Sequence, residues 1–318
     1  MTLTVSNILS AKVRPTPPEC AGGVTGAVVG DRLVLIGGAL DADTYPGRVQ
    51  LWQSGSAGWT DGAPMPTARH NVSAAVIGSK VFVVSGLVRT DTPEPGTGHP
   101  STPSAAHEVY DVEADRWQRL GALPEPRVRP VVELVNGELI VLGGRGAADN
   151  AKIGLAWSPE TDTWRELGEM PFAVRHPAGC RLGNEVILSG GWSPDDSARG
   201  AFHSGVHAFN PKTGAWRRLA DMPEARAGHE LVNLDGRLYA IGGLTRDDGG
   251  AKIAVESVDV YAPEADAWVR LSGALEPRTM FAAGVLDGRI LLAAGWIKVN
   301  GPRNESAIAL EPSGDVEP

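Results

Sequence analysis

The sequence predicts an all-β protein made of repeated four-stranded units, and three observations support this prediction. Of the 318 residues, 40 are glycine and 24 are proline, which favours many short strands joined by tight turns over long helices. A pair of small residues ends an apolar run six times along the chain, at steps of 47 to 58 residues. Tryptophan and arginine recur around these pairs at nearly constant intervals, so the repeat covers almost the whole chain.

The small-residue pairs mark the end of the predicted second strand of each unit. They are Gly37-Gly38, Ser85-Gly86, Gly143-Gly144, Gly190-Gly191, Gly242-Gly243 and Ala294-Gly295. In the first five units a tryptophan begins the predicted fourth strand, and an aromatic residue ending the third strand lies seven positions before it. Turn sequences such as Asn136-Gly137 and Asp235-Gly236 suit tight hairpins between the first and second strands. One such unit cannot bury both faces, so several must pack side by side around an axis.

An arginine follows each of these tryptophans by 10 or 11 residues and precedes the next small-residue pair by 15 or 16. The five arginines are Arg69, Arg127, Arg175, Arg226 and Arg278. This pattern resembles the Kelch repeat, whose signature combines a double glycine, a spaced tyrosine and tryptophan, and an MPxxR-like turn. The resemblance covers nearly the whole chain, and it implies that the fold is a six-bladed Kelch β-propeller.

The last blade needs a strand from elsewhere, because little chain remains after the third strand of the sixth unit, near Leu310. The segment before Gly37 enters in the register of a fourth strand. We therefore expect the N-terminal segment to close the last blade, which avoids open sheet edges. How residues 1–10 share that blade with residues 304–312 is left open.

The predicted organisation is a single propeller domain over residues 1–318, with a Pro/Thr-rich loop insertion at residues 90–107 in blade two. The net charge of −9 argues against a nucleic-acid partner, which would need a clustered positive surface. No apolar run approaches the roughly 18–20 residues of a membrane span, and no signal peptide is evident, so we expect a cytoplasmic protein. Two cysteines form no disulfide framework, and no motif calls for a metal or cofactor.

The resemblance also indicates where ligands bind. In Kelch propellers, the loops that enter each blade and the loops between second and third strands face the same mouth of the central channel. In Kelch adaptors for acidic peptides, arginines at the turn position contact carboxylates, which implies the same role for Arg69, Arg127, Arg175, Arg226 and Arg278. Guanidinium groups hold carboxylates bidentately. The alternative is that these arginines belong to the repeat consensus and bond groups between blades.

Further candidates lie beside these positions. His70 and His176 directly follow arginines and could move protons near neutral pH, and Glu19 in blade one could act as a base. Hydrogen-bonded turn histidines and an exposed turn glutamate are the alternatives. After the small-residue pairs come Arg145, Trp192 and Trp296. The two indoles suit stacking on a sugar or planar ligand, or packing under neighbouring loops.

Two functions remain open. In the first, the arginine-lined mouth binds an anionic or sugar-like small molecule and isomerises, epimerises or cyclises it by acid/base catalysis, similar to the Kelch epimerases that act on sialic acid. In the second, the propeller is a non-catalytic interaction module that binds an acidic protein partner. Interaction Kelch proteins usually carry a second domain, for which 318 residues leave no room, so we favour the enzyme.

Overall fold

A computed structural model describes residues 10–14, 17, 22–41, 44–91, 100–194, 200–271, 275–297, 303–304 and 306–311. Every regular element among these residues is a strand. In chain order the strands are β1 (Ser10–Arg14), β2 (Gly22–Val29), β3 (Arg32–Ala39), β4 (Val49–Gln53), β5 (Trp59–Gly62), β6 (Ser73–Ile77), β7 (Lys80–Val84), β8 (Leu87–Arg89), β9 (Ser101–Pro103), β10 (His107–Asp111), β11 (Arg116–Arg119), β12 (Val131–Val135), β13 (Glu138–Leu142), β14 (Ile153–Ser158), β15 (Thr163–Glu169), β16 (Ala178–Leu182), β17 (Glu185–Ser189), β18 (Trp192–Ser193), β19 (Ala201–Phe202), β20 (Val206–Asn210), β21 (Ala215–Leu219), β22 (Glu230–Leu234), β23 (Arg237–Ile241), β24 (Leu244–Arg246), β25 (Lys252–Ala254), β26 (Val258–Ala262), β27 (Ala267–Arg270), β28 (Ala282–Leu286), β29 (Arg289–Ala293) and β30 (Ala307–Glu311).

Within the described residues, these strands form six four-stranded antiparallel sheets, the blades, and three two-stranded ribbons. Blades one to six are β2-β3-β4-β5, β6-β7-β10-β11, β12-β13-β14-β15, β16-β17-β20-β21, β22-β23-β26-β27 and β28-β29-β30-β1. The first strand of each blade contacts the first strands of both neighbouring blades, so β2, β6, β12, β16, β22 and β28 form a closed ring. The predicted six-bladed β-propeller is confirmed.

The N-terminal segment closes blade six, as predicted. β1 pairs with β30 in antiparallel register, with Lys12 opposite Ala309, and β30 pairs in turn with β29. The strand-sharing question is thereby answered, because β1 is the outermost strand and β30 the third strand of that blade. Residues 1–9 lie outside the described part of the chain.

The hydrophobic pattern follows from each strand's place in the blade. The second strands of blades two to six are buried at every residue but the first, since a radial sheet is covered on both faces by its neighbours. The outer strands β11 and β15 are mostly exposed and carry polar side chains. This gradient explains why the apolar run lies in the second strand, next to the small-residue pair.

The seven-residue spacing of aromatic and tryptophan reflects a cross-strand pair at a tight hairpin. Tyr110 lies opposite Trp117 with ring centroids 5.0 Å apart, and the same pairing recurs in the other blades with a tryptophan at this position. Trp117 Nε1 donates to the Ala63 carbonyl of blade one at 2.8 Å. The indoles of blades three and five make the same bond to their preceding blades, so the tryptophan joins adjacent blades.

An aspartate two positions before the tryptophan adds a second bond between blades, which the sequence interpretation missed. Asp115 accepts from the Ala63 N–H and from the Tyr110 hydroxyl, each at 2.6 Å. Asp162 and Asp266 likewise accept from a backbone N–H of the preceding blade and from the aromatic residue of their own blade, which is the Trp157 indole N–H for Asp162 and the Tyr261 hydroxyl for Asp266. All three aspartates have left-handed backbone. The bonded tyrosine hydroxyl and its burial raise the pKa of Tyr110 above its ordinary range.

The arginines at the repeat position mostly lie inside the blades. Arg69, Arg127, Arg226 and Arg278 have fully buried side chains. Arg69 Nη1 donates to Glu108 Oε2 on β10 at 2.7 Å, Arg226 pairs with Asp259 on β26, and Arg278 Nη2 donates to Ser306 Oγ at 2.7 Å. Burial lowers the pKa of the Arg69 guanidinium and Glu108 opposes that shift. These bonds run within one blade and its entering connector, whereas the structural alternative expected bonds between blades.

The Arg69–Glu108 pair predicts a stability effect. Changing Glu108→Gln leaves a buried guanidinium without its counter-charge, so we expect the free energy of unfolding to fall by about 3–5 kcal/mol. Urea denaturation of both proteins measures the difference. The matched control is Glu113→Gln, an exposed position in the same blade, where a change within about 0.5 kcal/mol is expected. Equal losses in both variants would contradict the structural role of the pair.

Candidate functional site

The two predicted sets of connectors meet at one mouth of the channel. The connector that enters a blade pairs with the connector between the second and third strands of the same blade, for example His70 with Leu87 and Val128 with Arg145. In blades two, four and five the latter connector is extended into a ribbon, β8-β9, β18-β19 or β24-β25. Of the predicted insertion at residues 90–107, residues 92–99 lie outside the described part of the chain. The insertion follows β8 directly, and its described second half contains β9, the other strand of the blade-two ribbon.

One residue from each entering connector forms a ring around the channel, which we call the mouth ring. Its members have left-handed backbone with φ between 47° and 68°, and they are Gly23, Asn71, Arg129, His176, Gly228 and Met280. Backbone hydrogen bonds join neighbours in the ring, such as the Asn71 N–H to the Gly23 carbonyl at 2.7 Å. Because the backbone is fixed in this way, the side chains at these six positions can vary without changing the connectors.

In blade four the repeat position is occupied by Val174, so the sequence-based assignment of Arg175 to that position is wrong by one residue. The Gly144 N–H donates to the Val174 carbonyl at 3.0 Å, as the Gly86 N–H donates to the Arg127 carbonyl at 2.9 Å. Val174 is buried like the repeat arginines, whereas Arg175 is half-buried at the mouth. The shift of one residue takes this guanidinium out of the blade interior.

Arg175 is oriented by groups of two blades. Its Nε donates to Asn150 Oδ1 of blade three at 2.8 Å, and its guanidinium lies 4.8 Å from the centre of the Trp192 ring. Asn150 is buried, and its Nδ2 donates to the Ala173 carbonyl at 3.2 Å. The Trp192 indole also lies against Gly200, where a Cβ would come within 2.1 Å of it. Trp192 therefore supports Arg175 and the loop of blade four.

His176 lies among cationic side chains from three blades. Burial, Arg129, Arg175, Arg145 and Lys252 lower the pKa of His176 to about 3, in that order of effect. Its Nδ1 is buried and has no hydrogen-bond partner among the described residues. The imidazole is therefore neutral at physiological pH, and the mouth between blades three, four and five carries a local excess of positive charge in a chain of net charge −9.

Below the mouth ring, the channel contains a cavity of about 360 Å³ lined by the first strands of all six blades. Arg129 Nη2 donates to Glu230 Oε1 at 2.5 Å, which joins blade three to blade five. Burial raises the pKa of Glu230, and Arg129 opposes this effect. Burial also raises the pKa of Glu133 in the same cavity to about 8. Blades one, two and six contribute only small or uncharged residues to the lining, including Gly26, Ala74 and Gly284.

Of the other predicted residues, Arg145 belongs to the cations around His176, whereas His70 and Trp296 pack elsewhere. His70 packs against Tyr45 with ring centroids 4.4 Å apart and lies one position before the mouth ring, unlike His176. The Trp296 indole lies against Gly22, where a Cβ would come within 1.7 Å of it, which agrees with its packing alternative. Arg145 is half-buried at the mouth, and Glu19 lies outside the described residues. A ligand role for these residues stays a prediction.

The four buried repeat arginines are not at the mouth either. The side chains of Arg69, Arg127, Arg226 and Arg278 have no exposed surface, and a ligand role for them stays a prediction. Sequence reasoning missed Arg129, Glu230, Lys252 and Asn150. For Arg129 a signal existed, because it lies two positions after the repeat arginine of its blade, where the other repeats have uncharged residues.

No helix long and apolar enough to cross a membrane occurs in the part of the chain that the structure describes. Nor do three or more metal-ligating side chains come together among those residues. Cys180 is a buried free thiol in the channel lining, and burial raises its pKa well above the ordinary value.

Comparison with known proteins agrees with this architecture. A family profile described as Kelch motif matches residues 126–171, 174–223 and 225–273. Human Kelch-like protein 15 is 22% identical over 305 residues, covering 94% of this chain and 41% of its own length. Kelch-like protein 36 of Bos taurus is 24% identical over 239 residues, covering 75% of this chain and 37% of its own length. The chain thus spans about two fifths of the length of these relatives.

A solved structure described as "Structure of YjhT" superimposes with a TM-score of 0.79 and 16% sequence identity, covering 95% of this chain and 100% of that one. This similarity shows a common fold. The repeat landmarks, the closed ring of six blades, the Kelch motif matches and the Kelch-like relatives all agree. The chain therefore carries Kelch motifs over residues 126–171, 174–223 and 225–273, and it folds as a six-bladed Kelch β-propeller.

Proposed function

We propose that the channel mouth between blades three, four and five binds a small molecule carrying a carboxylate, which the protein isomerises, epimerises or cyclises by acid/base catalysis. The observation that carries this proposal is the convergence of Arg129, Arg145, Arg175 and Lys252 on His176. Cations grouped at a concave mouth focus their field and attract anions. Guanidinium groups at this position suit a carboxylate better than a neutral ligand.

The dimensions of the channel favour a small ligand. A cavity of about 360 Å³ lies at the lower end of the range found for small-molecule sites, about 300–1,000 Å³. Its wall is polar on the side of blades three to five, where Arg129, Glu230 and Glu133 lie, and it is formed by small residues on the opposite side. A compact polar ligand with an acid group fits such a space.

His176 is the residue best placed to move a proton. Burial and the four cations hold the pKa of His176 low, so the imidazole is neutral and can accept a proton. A bound carboxylate offsets part of that positive charge, so the pKa of His176 rises on binding and the imidazole becomes a stronger base. Accepting a proton from one atom of the substrate and returning it to another gives isomerisation without a cofactor. His70 and Glu19 remain further candidates for this role.

A second function is binding of an acidic protein partner by the same cations. Its support is the similarity to Kelch-like proteins, which are longer than this chain. Aspartate or glutamate side chains of a partner would present the same carboxylates to Arg145, Arg175 and Lys252. The two functions differ in whether a free small carboxylate binds.

A thermal-shift panel of sugar acids, other small carboxylates and acidic peptides tests the ligand class. We expect a small carboxylate to raise the melting temperature of the wild-type protein by mass action. Changing Arg175→Gln should weaken its binding by about ten- to hundredfold, as for loss of a hydrogen bond to a charged group of about 1.5–3 kcal/mol. Arg116→Gln, an exposed position on β11, is the control and should bind normally. A shift by peptides alone would favour the interaction module, and no shift at all would contradict both functions.

NMR titration of the histidines tests the role of His176. We expect its imidazole to titrate near pH 3 in the free protein, and Arg145→Gln to raise this pKa because one repelling cation is lost. A saturating small carboxylate should raise it further. His107 is an internal control, since burial between blades lowers its pKa to about 4 at a site remote from the mouth cations. An unshifted His176, titrating near pH 6.5, would remove the electrostatic basis of the site.

A further inference from the structure

The Arg129–Glu230 pair differs from the other ion pairs seen between described residues. Each of the others joins groups of one blade or of its adjoining connectors, whereas this pair joins blade three to blade five across the channel. Its partners are separated by 101 residues in sequence. Both residues line the central cavity. The pair therefore lies in the path of any ligand that enters from the mouth.

Solvent exposure also distinguishes this pair from the interior pairs. The side chains of Arg69 and Glu108 are 0% and 1% exposed, while those of Arg129 and Glu230 are 8% and 28% exposed. More than a quarter of the Glu230 side-chain surface is thus exposed to the channel, so its carboxylate can turn away from Arg129 toward solvent. Arg129 cannot gain the same hydration, so its guanidinium needs an anion in that place.

We infer that Arg129 forms an anion site inside the channel, which takes a carboxylate or sulfonate group of a small ligand, and that Glu230 occupies this site in the free protein. The Glu230 oxygen 2.5 Å from Arg129 Nη2 marks the position of the ligand oxygen. This site extends the proposed function, because the ligand reaches it through the cationic mouth. Glu230 then competes with the ligand for the same guanidinium.

Competition between Glu230 and the ligand predicts the direction in which anion affinity changes. Removing the Glu230 charge leaves Arg129 without a partner and strengthens anion binding, whereas a purely structural pair would give no such gain. Protonation of Glu230 has the same effect, so anion affinity in the wild-type protein rises as the pH falls. Burial moves the pKa of Glu230 above its ordinary value, which brings this titration closer to neutral pH.

Few other groups near Glu230 change charge between pH 7 and 5. On its own blade, burial keeps His229 neutral by lowering its pKa well below the ordinary value. On blade four, His176 stays neutral and the Cys180 thiol stays protonated, and Arg181 also lines the cavity. On blade three, Glu133, with a pKa of about 8, is already mostly protonated. Arginine side chains keep their charge in proteins. Blades one, two and six contribute no titratable side chain to the described lining.

Isothermal titration calorimetry of the full chain with isethionate, a small sulfonate that stays ionised over this pH range, tests the site. We expect Glu230→Gln to raise the affinity about tenfold or more at pH 7 and to abolish the rise between pH 7 and 5. Arg129→Gln should lower the affinity at least tenfold. Glu256→Gln, an exposed change in the same blade, should behave like wild type. If Glu230→Gln fails to fold, the pH dependence of the wild-type protein alone decides, and a flat profile overturns the inference.

The Arg175→Gln variant separates this inference from the proposed function. Loss of binding in Arg175→Gln with no gain in Glu230→Gln would leave the mouth site standing and overturn the channel site. A gain in Glu230→Gln with normal binding in Arg175→Gln would support the channel site and count against the mouth site. Absence of binding in every variant, including Glu230→Gln, would overturn both.

Discussion

A single backbone hydrogen bond, repeated around the ring, holds the connectors at one end of the propeller. In the first five units the second residue of the small-residue pair donates its N–H to the carbonyl at the repeat position of the next blade, as Gly86 does to Arg127 and Gly144 to Val174. That second residue is glycine in every unit, with φ between 89° and 106°, and a Cβ at Gly86 would lie 2.8 Å from the His70 carbonyl. The first residue of the pair tolerates Ser85 and Ala294 in left-handed conformation. The entire mouth depends on this bond.

The scaffold and the site use different positions of the same repeat. The buried arginines, the tryptophans and the aspartates that precede them recur because they make the same contacts within and between successive blades. Backbone hydrogen bonds join the residues of the mouth ring, so its side chains can differ, and Asn71, Arg129, His176 and Met280 share no chemistry. In blade four a valine replaces the repeat arginine, and the adjacent Arg175 points its charge into the mouth. We therefore expect functional residues at positions where a blade departs from the repeat consensus.

Burial decides which charges stabilise the fold and which are available for binding. Arg226 and Asp259 are both fully buried, so separating them would leave an uncompensated charge. Arg129 and Glu230 face a cavity that admits water, so their contact can be exchanged for another anion. The cations near His176 come from blades three, four and five. Positive charge is therefore concentrated on one side of the channel, although the six blades are arranged symmetrically.

Much of the fold follows from the sequence because its determinants are local. One hairpin sets the seven-residue spacing of the aromatic pair, and burial of the second strand sets the apolar run. The closing role of the N-terminal segment could be inferred by counting the intervals of the repeat. The six units and the order of strands within each unit were predictable in this way, whereas the propeller arrangement and the shared mouth of the two connector sets were implied by the resemblance to the Kelch repeat. The aspartates such as Asp115 were equally readable, since they precede the tryptophans at a fixed distance.

The site required the tertiary structure, because its residues come together through the angular positions of the blades. No local pattern joins Arg129 to Glu230, which are 101 residues apart, or Lys252 to His176. Sequence spacing also aligned Arg175 with the other repeat arginines, because its distance from the preceding tryptophan differs from theirs by only one residue. In the structure, that shift of one residue turns the side chain from the blade interior to the mouth. The sequence by itself determined the repeat and its closure, through hairpin lengths and hydrophobic burial. Only the tertiary structure decided which arginines are buried and which charges share the channel, because burial and long-range electrostatics depend on what the neighbouring blades bring to each position.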